Sequence, residues 1–220
     1  MNFTRIDLNT WNRREHFALY RQQIKCGFSL TTKLDITALR TALAETDYKF
    51  YPVMIYLISR VVNQFPEFRM AMKDNALIYW DQTDPVFTVF HKETETFSAL
   101  FCRYCPDISE FMAGYNAVMA EYQHNTALFP QGALPENHLN ISSLPWVSFD
   151  GFNLNITGND DYFAPVFTMA KFQQEDNRVL LPVSVQVHHA VCDGFHAARF
   201  INTLQMMCDG VLGIFPSKVT

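Results

Sequence analysis

The feature that most constrains this chain is a strand signal running straight into a helix signal. Residues 178–200 read RVLLPVSVQVHHAVCDGFHAARF. From Val183 to His189 the side chains alternate: Val183, Val185, Val187 and His189 share one face, and Ser184, Gln186 and His188 the other. A period of two marks a strand with one buried side. Asp193-Gly194 then offers a cap and a turn, after which Ala198, Ile201, Leu204 and Cys208 keep a helical period. A half-buried strand followed at once by an amphipathic helix needs a sheet with helices layered on it.

The rest of the chain agrees. DITALRTALAET predicts a helix capped by Asp35, with Ile36, Leu39 and Leu43 inward. YPVMIYLISRVVNQF predicts another, with Pro52 in its first position and a stripe of Ile55, Ile58, Val62 and Phe65. FRMAMKDNALIYW reads as a hairpin turning at Asp74-Asn75, and PVFTVFH and ETFSALFCRY as two further strands. DISEFMAGYNAVMAEYQHN carries a helical apolar face from Ile108 to Tyr122. Strand patterns return in LNISSLPWVSFDGFNLNI, APVFTMAKFQQ and VLLPVSVQV, the last two joined by the turn-rich QEDNR. Without strict alternation of strand and helix, the expected class is α/β: a two-layer, α+β-like sandwich with a mixed, largely antiparallel sheet. No linker, charge run or repeat divides residues 1–220, which predicts one domain.

Composition narrows the function. Hydrophobic residues make up 49 %, with twenty phenylalanines, so a large aromatic core is available. The net charge is −5 and no basic tract exists, which argues against a nucleic-acid surface. The opening residues MNFTRIDLNTWNRREHF lack the apolar core expected of a signal peptide, and the longest apolar run, PVMIYLI, is too short to span a bilayer. Five cysteines without a secreted spacing fit a soluble cytoplasmic protein with reduced thiols; Cys102 and Cys105 in CRYC read as strand residues.

His188, His189, Cys192, Asp193 and His196 fall within nine residues. Three readings suit them: metal ligands, a catalytic base in its setting, or a capped junction whose histidines bond locally. Adjacent strand residues point to opposite faces, so His188 and His189 are poorly placed to share one ion, and no HExxH or paired CxxC frame is present. The expectation is no metal. A base needs a pKa near 7 and a held tautomer, with an oxyanion donor elsewhere. Cys192 is open as a nucleophile or as a small buried residue.

HHAVCDGFH fits the HHxxxDG motif of the coenzyme A-dependent acyltransferases. Together with YKFYPVMIYLI, ETETFSALF, LFPQG, ENHLNISSLPWVSFDGFN and DYFAPVFTMAKF, in that order along the chain, it resembles the chloramphenicol acetyltransferase family, nearest to its type II branch. The resemblance implies a homotrimer with active sites between subunits. Acetyl-CoA is the co-substrate, with no permanently bound cofactor, and the acetyl group goes to the 3-hydroxyl of chloramphenicol, conferring antibiotic resistance.

By motif position it implies His189 as general base, Ser142 as oxyanion donor and Thr168 as a helper acting through water. Asp193 becomes structural, paired with Arg13, and the imidazole is held by a bond to its own backbone carbonyl. The resemblance implies an acceptor pocket of Tyr20, Cys26, Phe28, Phe129, Leu154 and Val166. Coenzyme A would meet Lys171 and Phe172, the latter where many members carry tyrosine. The rival functions are a related acyltransferase with another acceptor, a metal-dependent hydrolase and a non-catalytic binder of aromatic molecules.

Overall fold

The computed structural model describes residues 1–156, 161–210 and 214–215. Along them run β1 (Phe3–Arg5), α1 (Arg14–Ala18), β2 (Gly27–Asp35), α2 (Thr37–Ala44), α3 (Phe50–Val62), β3 (Met70–Lys73), β4 (Ala76–Trp80), β5 (Asp84–His91), β6 (Thr96–Phe101), α4 (Ile108–Tyr122), β7 (His138–Leu144), β8 (Val166–Ala170), β9 (Gln173–Glu175), β10 (Arg178–His188) and α5 (Gly194–Asp209). The larger sheet has the order β2-β10-β8-β7-β5-β6, with β9 also on β10, and a smaller sheet runs β1-β4-β3. β7 pairs in parallel with β5 and with β8, while β10 pairs antiparallel with both β2 and β8. The sheet is therefore mixed, and the α/β class read from the sequence is the one observed.

Helices cover one face of the larger sheet. Val183, Val185 and Val187 turn to that side and are 5 % exposed or less. Phe167 of β8 stacks on Phe200 of α5 with ring centroids 4.7 Å apart. α3 is buried nearly all round, with Val53 to Ile58 wholly inaccessible. A helix apolar on every side is a core helix, and its own stripe says little about which neighbour it meets.

Local expectations shift in detail. The first residue before α2 is Ile36, yet Asp35 still serves the first turn, since its Oδ1 accepts from Thr37 N at 3.0 Å. α3 begins at Phe50, so Pro52 takes its third position, where its missing N–H is still one of the unpartnered four. Asp74 and Asn75 have φ of 49° and 58°, the left-handed pair of a two-residue hairpin turn. β6 ends at Phe101, which leaves Cys102 and Cys105 in the connection beyond it and not in a strand. α5 turns Ala197 and Phe200 inward with Leu204 and Cys208, whereas Ala198 is exposed. The face is rotated by one residue because the ring of Phe200 takes the core position beside Phe167.

The other face of the larger sheet is polar. Ser142 stands opposite Thr168, Thr168 opposite Ser184, and Ser184 opposite Thr31. Residues in direct register share a face, so four hydroxyls cross β7, β8, β10 and β2 in one row. Among the described residues no helix is long and apolar enough to cross a membrane.

Candidate active site

His189 follows the last residue of β10. Its backbone N donates to Cys26 O at 2.9 Å, which ties the end of β10 to the start of β2. The imidazole stacks on Tyr20 at a centroid distance of 3.9 Å and an interplanar angle of 13°. Phe28 meets it edge-on at 5.3 Å. Two aromatic neighbours leave the ring little rotational freedom, and the side chain keeps 28 % exposure, so it is both held and reachable.

One edge of the ring faces Asp193. Nδ1 is buried 3.2 Å from Asp193 Oδ1 but lacks the alignment of a hydrogen bond. The carbonyl of His189, implied by the resemblance to hold its own ring, accepts instead from Arg13 Nη2 at 3.3 Å. Packing and the nearby carboxylate therefore orient the imidazole, and Nε2, across the ring, is turned away from Asp193.

Asp193 is engaged twice over. Arg13 grips its carboxylate through both terminal nitrogens, Nη2 to Oδ1 at 2.9 Å and Nη1 to Oδ2. As the cap of α5 it shares a reciprocal box with His196, whose Nδ1 accepts from Asp193 N at 2.9 Å. Burial pulls the carboxyl of Asp193 upward. The hydrogen bonds and charge of Arg13, with His196 and His189, outweigh this and hold it below the usual carboxylate range. Behind them Glu67 lies 3.6 Å from His196 Nε2 and accepts from Arg199 Nη2 at 2.9 Å. Sequence reasoning missed Glu67 and Arg199, which only the tertiary fold brings to His196, whereas the local bond of His196 to the Asp193 cap is what the capped-junction reading allowed. Cys192, one residue before, is wholly buried, and desolvation pushes its thiol far up, so it is protonated and inaccessible at neutral pH.

Ser142 and Thr168 lie elsewhere. Their hydroxyls are 3.1 Å apart across the parallel β7–β8 pair, with Thr168 only 2 % exposed. Within one chain they cannot meet His189. From Ser142 to Ser184 the register crosses two strand spacings, and from Ser184 to His189 the chain advances five residues. At about 4.8 Å per spacing and about 3.3 Å per residue, the separation is roughly 19 Å.

Phe28, Leu154 and Val166 line one cavity of about 450 Å³ on the polar face, together with Gln186 and His188. Gln186 was not anticipated, although the period that places Ser184 on this face places Gln186 there too. Lys171 and Phe172 line a second, apolar cavity of about 450 Å³ beside Phe50, Trp146 and Met169. Arg40 lies over the Phe172 ring at 4.9 Å. Phe129 is 46 % exposed, and its neighbour Leu128 accepts from Ala99 N on β6, the sheet edge opposite to β2. It thus lies beyond the fifth strand spacing, more than about 24 Å from Phe28. Among the described residues no group of three or more His, Cys, Asp or Glu is gathered as a metal site.

A held, reachable histidine and a paired hydroxyl donor are the parts of an acyl-transfer site. Residues 1–205 match the family described as chloramphenicol acetyltransferase. The chain belongs to the chloramphenicol acetyltransferase family. It is therefore an acyltransferase. Chloramphenicol acetyltransferase 2 of Haemophilus influenzae is 99 % identical over 96 % of this chain and the whole of that protein. Chloramphenicol acetyltransferase 2 of Escherichia coli is 92 % identical over the same shares. Both carry the type II designation that the sequence resembled. A solved chloramphenicol acetyltransferase, 20 % identical, superposes with a TM-score of 0.86 over 94 % of this chain and all of that one, which shows the shared fold.

Proposed function

We propose that this enzyme moves the acetyl group of acetyl-CoA directly to the 3-hydroxyl of chloramphenicol, in sites that two copies of the chain complete together. The single observation behind the shared site is the separation of roughly 19 Å between His189 and Ser142 along the sheet register. A base and an oxyanion donor must act within hydrogen-bond reach of one reacting centre. A homotrimer satisfies this, since each subunit of a closed ring offers its His189 corner to the Ser142 row of the next. Phe129, on the sheet edge opposite to Phe28, joins the acceptor pocket in the same way.

Nε2 of His189 takes the proton of the 3-hydroxyl as its oxygen attacks the thioester carbonyl. The C–O bond forms and negative charge collects on the former carbonyl oxygen. Ser142 Oγ–H from the neighbouring copy donates to that oxyanion, with Thr168 beside it. The intermediate then collapses, the C–S bond breaks, and the imidazolium returns the proton to the leaving thiolate. The cavity beside Lys171 and Phe172 receives coenzyme A, while Phe28, Leu154 and Val166 line the acceptor side. No resident cofactor takes part, and the cytoplasm supplies the acetyl-CoA. Acetylation of the drug makes this a resistance enzyme.

The Cys192 thiol is buried and held protonated by desolvation, which speaks against an acetyl-Cys192 intermediate and favours direct transfer. Free thiol should appear on mixing acetyl-CoA and chloramphenicol with the protein, and double-reciprocal plots should intersect, as for a ternary complex. Parallel plots and a burst would reveal a covalent route.

A further inference from the structure

We infer that Gln186 sets acceptor specificity by fixing one wall of the cavity that holds Leu154, an inference resting on the assignment of that cavity to chloramphenicol. Residues 149–156 have no regular secondary structure, and Leu154 is 47 % exposed. Packing alone therefore does not hold it. Its backbone is held instead: Leu154 N donates to Gln186 Oε1 at 2.6 Å, and Gln186 Nε2 donates to Leu154 O at 2.8 Å. One carboxamide thus satisfies both backbone groups of one residue, as a neighbouring strand would. Only one orientation of the amide can do so, because Leu154 N needs an acceptor and Leu154 O a donor.

The same device recurs two residues away. Ser184 Oγ donates to Phe152 O at 2.5 Å, and Phe152 N donates to Thr31 Oγ1 at 3.4 Å. Ser184 and Gln186 share a face of β10, so the sheet binds residues 152 and 154 at strand spacing through side chains. Ser29 Oγ, opposite Gln186 on β2, donates to Gln186 Oε1 at 3.3 Å and steadies the carboxamide. Gln186 itself lines the cavity with Phe28, Leu154 and Val166. It is a positioning residue: it holds the wall, and the wall meets the acceptor.

The test is steady-state kinetics of Gln186→Leu and Gln186→Glu, varying each substrate in turn, beside Leu154→Ala. Leucine removes both bonds at similar volume. Glutamate can still accept from Leu154 N but cannot donate to Leu154 O. With each bond contributing a few-fold to tenfold, Gln186→Leu should raise KM for chloramphenicol by about 10-fold or more, and Gln186→Glu by about 3-fold. KM for acetyl-CoA and kcat should stay within about twofold, a split that general loss of structure would not give. An unchanged chloramphenicol KM in both variants, or an equal rise for both substrates, overturns the inference. Should Gln186→Leu fail to fold, the graded effect of Gln186→Glu decides it. If Leu154→Ala leaves chloramphenicol KM unchanged, the cavity is not the acceptor's and the inference falls with that assignment. A wild-type protein that turns over no chloramphenicol overturns the proposed function itself.

Discussion

The His189 corner and the Ser142–Thr168 row are built by opposite means. The corner is assembled from distant parts of the chain: Tyr20, Phe28 and Arg13 from early residues, and Asp193 from the cap of α5. Its geometry depends on a charged clasp and on aromatic packing. The row needs neither. Strand register alone places Ser142 opposite Thr168, and their hydroxyls meet at 3.1 Å. A base must be both mobile to protons and fixed in direction, so it sits at an exposed strand end and borrows its rigidity. A hydroxyl donor needs only a fixed position, which the middle of a sheet supplies.

This contrast orders what substitution should do. Removing the base should have the largest effect: His189→Ala should lower kcat by about 10² to 10⁴-fold, measured by thiol release, with the fold intact by circular dichroism. Ser142→Ala should lower kcat by about 10²-fold with little change in KM, because an oxyanion donor acts mainly in the transition state. Wild-type kcat in that variant would remove Ser142 from the mechanism.

The clasp should affect stability as well as rate, and the row should not share that sensitivity. The side chains of Arg13 and Asp193 are 13 % and 31 % exposed, so the pair is only part-buried. Asp193→Asn should therefore cost about 1.5–3 kcal/mol in denaturant unfolding, short of the loss for a wholly buried pair. The Asp193 carboxyl titrates below its ordinary range in the folded state. Its contribution is thus fully present above the unfolded carboxylate value of about 3.9, and is lost as pH falls through the lower folded value. The gap in thermal midpoint between the native protein and Asp193→Asn should hold steady from pH 7 to about 5 and close below about 4. A gap that persists undiminished under acid would exclude the ion pair as its source.

How much of this was legible in the sequence follows the same division. Strand period placed Ser184 and Gln186 on one face and Val183, Val185 and Val187 on the other, and the cap Asp193 marks where α5 begins. Local signals of this kind act over a few residues and survive folding. The rotation of α5, and the exit of Cys102 and Cys105 from β6, depended on tertiary packing that no local period encodes. The site residues came from motif resemblance and not from chemistry. Nothing in the pattern around NISS distinguishes Ser142 from an ordinary strand hydroxyl. The Arg13–Asp193 contact, 180 residues apart in the chain, is likewise invisible to any local rule. The separation between His189 and Ser142 could be seen only once the register of β7, β8 and β10 was known.

Complementation between two inactive variants tests the shared site most directly. His189→Ala and Ser142→Ala chains, co-expressed and purified as mixed oligomers, should regain activity that neither has alone. Random mixing in a closed ring gives about a quarter of the sites an intact His189 from one chain and an intact Ser142 from the next. Activity near that fraction of the native enzyme is the predicted result. Mixed oligomers no more active than the average of the two parents would place both residues in one chain's own site and contradict the account.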